Sequence, residues 1–173
     1  MAQTKSEYLA SPIGHIDITS FDARHIINQY RKIRGSAGDL AEATDIMGRA
    51  IADPDCTIAL TLAGSPSAQG LMNVWPTLVK NRMIDLVVAT GASVVDMDFF
   101  EALGFKHYQG SPHADDKLLR SLYIDRIYDT YIDEEQLQAC DKTVKEIADG
   151  LEPRPYSSRE FIREMGRYLT KHA

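Results

Sequence analysis

Residues 56–64 read CTIALTLAG, and residues 83–93 read MIDLVVATGAS. Each stretch is a short aliphatic run, rich in β-branched residues, that leaves through glycine. An unbroken apolar run of this length predicts a strand buried on both faces, as parallel sheets require. A helical pattern follows each one. After the first, Leu71, Val74, Trp75, Leu78 and Val79 form an apolar stripe, and Pro76 predicts a kink or a broken first turn. After the second, a helix is expected over about 94–103, stopped by Gly104. Two strand-glycine-helix units in succession predict an α/β fold, with a mostly parallel sheet flanked by helices.

The flanking sequence fits that frame. Asp22 is placed to cap a helix carrying Ile26, Tyr30 and Ile33 on one face, and Gly35 and Gly38 are expected to break it. Leu40, Ala43, Met47 and Ile51 predict a second helix, and Asp53-Pro54-Asp55 predicts a turn. Shorter strands are expected at 105–109 and 126–132. Asp133 with Gln136 resembles a capping box ahead of a helix through Leu137, Cys140, Val144, Ile147 and Leu151. Ser157 with Glu160 starts a last helix burying Phe161, Ile162, Met165 and Leu169. The whole of 1–173 is expected to be a single domain, with residues 1–20 irregular.

Composition narrows the function classes. The 173 residues carry a formal net charge of −6. No cluster of Lys and Arg is long enough to make a nucleic-acid face. The longest apolar runs are too short to cross a bilayer, and the first twenty residues hold no signal-peptide core. A soluble cytoplasmic protein is expected, with no membrane and no nucleic-acid partner. The two cysteines, Cys56 and Cys140, stand far apart and are expected to be buried thiols.

Chemistry points to the strand ends. In open α/β sheets, ligands bind outside the carboxyl ends of the strands. Small residues there let backbone N–H groups approach a phosphate, and a helix N-terminus favours the anion. Gly64, Ser65, Ser67, Thr90, Gly91, Ala92 and Ser93 form such a candidate cradle. The same residues also permit tight strand-to-helix turns. Neither loop is GxGxxG, and no GxxxxGK[ST] is present. Asp96 and Asp98 follow the second strand, where a carboxylate can orient an amine or take a proton, or simply complement the helix dipole. His107, His113, Asp115 and Asp116 match no metal spacing, and no metal is expected.

Three segments taken together resemble the deoxyhypusine synthase family, which includes homospermidine synthases and bacterial deoxyhypusine-synthase-like proteins. They are LTLAGSPSAQGL (60–71), LVKNRMIDLVVATGASVVDMDFFEALGFKHYQGS (78–111) and ADDKLLRSLYIDRIYDTYI (114–132), and the similarity runs from about Ile13 onward. The resemblance implies a Rossmann-like fold and NAD-dependent transfer of an aminobutyl group from a polyamine, spermidine or putrescine, to an acceptor amine. It implies cofactor contacts at Gly64, Ser65, Ala68, Thr90, Gly91, Ala92 and Ser93, and a catalytic role for Asp96. It covers the N-terminal half of the family's chain only. The imine-forming lysine and most acidic residues that grip the amine belong to the other half, and Lys171 is a poor substitute in a terminal segment. A homo- or hetero-oligomer is therefore expected, with a chain carrying the missing half as partner. The competing expectations are an inactive relative that supports an active partner, and an independent nucleotide-binding module. The first two share one consequence: a large apolar surface where the other half packs.

Overall fold

The computed structural model describes residues 4–172. Its chain divides into two compact units. One takes its residues from His15–Leu62 and Leu71–Ala89, the other from Met1–Gly14, Ala63–Gly70 and Thr90–Ala173.

The first unit holds two strands and three helices. Strands β1 (Ala59–Leu62) and β2 (Leu86–Ala89) pair in parallel, with Ala59 opposite Leu86 and Leu62 opposite Ala89. Asp85 locks the start of the pair: its carboxylate accepts the Ile58 N–H at 2.8 Å, and its own N–H donates to the Ile58 carbonyl at 2.9 Å. Helix α2 (Arg24–Tyr30) follows Asp22, whose carboxylate accepts the Arg24 N–H at 2.9 Å. Helix α3 (Ser36–Ala52) packs on it. Helix α2 ends at Tyr30, ahead of both glycines expected to break it; Gly35 precedes α3 with φ 72°, and Gly38 lies inside α3. A Cβ at Gly38 would stand 2.6 Å from the Ile33 carbonyl oxygen, so only glycine lets the turn between the helices fold back on α3. Helix α4 (Val74–Lys80) carries Pro76 in its first turn, where a missing N–H costs little.

The second unit is built on an antiparallel sheet. Helix α1 (Lys5–Tyr8) lies in the segment expected to be irregular, closed by a capping box between Thr4 and Glu7. Strands β3 (His107–Gln109), β4 (Ile124–Ile127) and β5 (Thr130–Asp133) pair in the order β3-β5-β4, all antiparallel. The single strand expected at 126–132 is thus a hairpin, turning at Tyr128 and Asp129. Across β3, Ile13 donates to the His107 carbonyl and Gln109 donates to Ser11, both at 2.8 Å. Helices α5 (Phe100–Ala102), α6 (Asp116–Ser121), α7 (Glu134–Asp149) and α8 (Ser158–His172) complete the unit.

Its core gathers Phe99, Phe100, Ile132, Cys140, Ile147 and Met165, joined by Leu137, Val144, Phe161 and Leu169. The apolar stripes of α7 and α8 meet there, but Ile162, expected to be buried with them, lies on the exposed side of α8 at 46%. Ser157 caps α8 as expected: its hydroxyl accepts the Glu160 N–H at 3.2 Å, and Glu160 accepts the Ser157 N–H at 2.8 Å. Asp133 caps α7 by accepting the Glu135 N–H at 2.9 Å, while Gln136 Oε1 takes no part.

Two expectations are corrected. Parallel pairing is confined to β1 and β2 among the described residues, so the fold is mixed α/β rather than mostly parallel. Cys56 is exposed, and only Cys140 is buried. No helix among the described residues is long and apolar enough to cross a membrane.

Candidate functional site: two strand-end loops

Both loops expected to carry the cofactor belong to the second unit, and each leaves a strand of the parallel pair. The first runs from Ala63 through Gly64 and Ser65 into a π-helical turn, Ser67–Leu71. Gly64 takes φ +76°, a conformation that costs an L side chain about 1–2 kcal/mol. Gly70 breaks the π-helical turn at φ +103°, and its Cα lies so near Gly14 that a Cβ would be 3.0 Å from the Gly14 carbonyl. Ser67 and Ala68 are fully buried beneath the loop.

The second loop is Thr90-Gly91, followed by a π-helix over Ala92–Phe99 that continues into α5. Thr90 caps it. Its hydroxyl accepts the Ser93 N–H at 3.3 Å, and its carbonyl accepts the Val94 N–H at 3.2 Å. Gly91 and Ala92, both exposed, come before the first intrahelical donor, so helix geometry leaves their amides without an intrahelical acceptor. A helical turn kinked at Gly70 thus follows the first loop, and a wide helix follows the second.

Ser93 joins the loops. Fully buried, it donates from Oγ to the Gly64 carbonyl at 3.3 Å and lies 3.1 Å from the Thr90 hydroxyl. The two glycine bends are therefore held side by side. Of the seven residues expected to touch the cofactor, Gly64, Thr90, Gly91 and Ala92 are exposed at this rim and Ser65 is half-buried. Ala68 and Ser93 are buried under it and shape it from behind.

Asp96 sits one turn further along the π-helix, half-buried. Burial, then the charge of Asp141 on α7, raises its carboxyl above the ordinary range. The same surroundings push the Cys140 thiol up to about 11, through burial, Asp141 and Asp96 in that order. Cys140 is thus an inert core thiol, its Sγ 3.5 Å from the Val95 carbonyl. Asp96 and Asp141 form a patch that favours a cation or a retained proton.

The sequence reading passed over two further groupings. His107 and Glu101 form a buried pair, with Nδ1 and Oε1 at 2.7 Å. The six-residue spacing of EALGFKH links helix to strand here, and nothing in the pattern alone marks it. Asp125 and Glu134 face each other beside a cavity of about 850 Å³ that Tyr123, Arg126 and Gln138 also line. The hydrogen bond to Glu134, with burial, raises Asp125 to about 6, while Glu134 is held below its usual range.

Comparison with known proteins fits this arrangement to a family. The family model described as Deoxyhypusine synthase matches residues 25–173. The chain is 60% identical over 171 residues to a deoxyhypusine synthase-like protein of Coxiella burnetii, covering 99% of this chain and 49% of that one. It is 62% identical over 167 residues to a deoxyhypusine synthase-like protein of Caulobacter vibrioides, covering 96% and 46%. With a probable deoxyhypusine synthase of Methanosarcina mazei it shares 33% identity over 162 residues, 93% of this chain and 51% of the other. The chain therefore spans about half the length of the curated relatives it matches, and it belongs to the deoxyhypusine synthase family.

Proposed function

We propose that this polypeptide supplies the loop-bearing half of an NAD-dependent aminobutyltransferase. A polyamine, spermidine or putrescine, is the donor and an amine is the acceptor. The observation that carries the proposal is the Ser93–Gly64 hydrogen bond, which sets the two glycine bends at one rim.

The residues fit a dinucleotide at that rim. A Cβ built on Gly64 or Gly91 meets nothing within 4 Å, so open space lies beside both backbones where a pyrophosphate would approach. The Gly91 and Ala92 amides, at the head of a capped helix, are suited to hold its charge. Thr90, through its hydroxyl, and Ser65 add polar contacts. Bound NAD supplies a hydride acceptor and returns the hydride as NADH. Asp96 with Asp141 holds the cationic amine or keeps a proton near the reacting carbon. Groups outside the described residues close the pocket and supply the lysine that forms the imine.

The test is NADH formation on adding spermidine or putrescine, measured for this chain alone and with a polypeptide carrying the other half of the family fold. Turnover only in the combined sample is expected. Turnover by this chain alone contradicts the division of labour. A combined sample that binds NAD but never reduces it favours a supporting, inactive role instead.

A further inference from the structure

The hairpin between β4 and β5 turns on Tyr128, whose φ of 56° is strained for a side chain of its size. The strain is held from both sides. Arg126 donates from Nη1 to the Tyr128 carbonyl at 2.8 Å, and is itself fixed by Asp116 at 2.8 and 2.9 Å. Gly110 donates its N–H to the Asp129 carbonyl at 2.7 Å. A Cβ at Gly110 would stand 2.6 Å from the Tyr131 ring, so the chain here is bare backbone. Strain that the surroundings maintain in this way clusters at ligand sites. Here it presents Tyr128, 67% exposed, beside a cavity of about 610 Å³ that the residue helps to line.

Gln69, Gln109, Asp129 and Thr130 also line this cavity. Gln109 and Thr130 are opposite in register, so their side chains leave the same face of the sheet. Thr130 is 1% exposed, yet its hydroxyl makes no hydrogen bond among the described residues. Buried polar groups are ordinarily paired, so this one calls for a partner from outside the chain. The side chains of Gln69, Gln109 and Asp129 are likewise unbonded among the described residues. Among the described residues that line the cavity, Asp129 carries the one charge and no Lys or Arg is present, which disfavours a phosphate.

We infer that this cavity binds a ring bearing adjacent hydroxyls, the diol of a ribose. The Asp129 carboxylate accepts from the hydroxyls, as acidic side chains do for ribose in other sites. The two carboxamides and the Thr130 hydroxyl each donate and accept, which suits hydroxyl groups. A lone ammonium would leave the N–H groups of both carboxamides without an acceptor. The Tyr128 ring offers an apolar face to a sugar or a base. A nucleoside and a free sugar share this chemistry. The inference goes beyond the proposed transfer and stands apart from NAD at the glycine bends.

The experiment titrates the chain with adenosine, ribose and putrescine in turn, and follows the amide NMR signals of Gly110 and Thr130. Saturable shifts at both amides are expected with adenosine alone, which marks a nucleoside as the source, or also with ribose, which marks the sugar ring. The matching analogue without the diol, dideoxyadenosine or deoxyribose, is expected to bind at least about tenfold more weakly. Asp129→Asn is expected to weaken binding by a similar factor. Tyr128→Gly is expected to raise the melting temperature and still weaken binding, so the two readouts separate a ligand role from a folding role. Several outcomes overturn the inference: no shift with adenosine or ribose, equal binding of the analogue, or affinity unchanged in Asp129→Asn. Putrescine shifting the same amides at lower concentration than either also overturns it, because the carboxylate then serves an amine. None of these readouts needs turnover. Failure of NAD to bind at Gly64 and Gly91 removes the proposed function and leaves this cavity standing.

Discussion

Ser93 is the residue on which the site's geometry turns. It has no exposed surface, yet one of its hydrogen bonds crosses to the first loop at Gly64 and another holds Thr90 in its own loop. Ser93→Ala is expected to cost about 1 kcal/mol, the net worth of a buried hydrogen bond, read as a lower melting temperature. A change within a few tenths would mean the loops are held by something else. Asp125 gives a second residue-scale prediction, in pH. Its folded value of about 6 lies above the ordinary 3.8, so its contribution to stability is full below about 3.8 and is lost as pH rises through 6. Asp125→Asn keeps a donor toward Glu134 at every pH. It should raise the melting temperature at neutral pH and flatten the pH dependence between about 4 and 6. An unchanged profile would show that the pair does not share a proton.

At the scale of elements, the two glycine bends were legible because an aliphatic run ending in glycine leaves few alternatives. The capping box at Ser157 was legible because its spacing is fixed by helix geometry. The wide helix after Gly91 was not, since buried positions at 93, 97 and 100 fit an α-helix and a π-helix about equally well. Nor was the β4–β5 hairpin. Its turn uses Tyr128 at φ 56° where glycine or asparagine is usual, so the sequence carries no turn signal. That misfit predicts that Tyr128→Gly stabilises the chain by about 1 kcal/mol, against the usual direction for a glycine substitution. Chemical denaturation checks it, and a destabilised variant would mean that contacts of the tyrosine ring outweigh the backbone strain. Conversely, Ser157→Ala should cost about 1 kcal/mol by removing the α8 cap, again read in chemical denaturation; no loss would show that α8 is held by its packing alone.

For the whole molecule, apolar pattern told where strands and helices form but not what covers them. CTIALTLAG and MIDLVVA read as doubly buried strands because their composition suits that environment. In the structure β2 stands half in water, with Leu86, Val87 and Val88 exposed. The matched relatives are about twice as long. The described residues bring amides, small residues and a carboxylate patch together at the strand-end loops.

Calorimetric titration of NAD into the native chain and into Gly91→Val tests the shared rim most directly. Gly91 sits at φ −55° with open space where a Cβ would go, so valine leaves the fold intact and fills only the ligand's approach. The account predicts measurable NAD binding by the native chain and at least about a tenfold weaker affinity in the variant, the loss of one charge-assisted hydrogen bond. Equal affinity in both, or none in either, would contradict it.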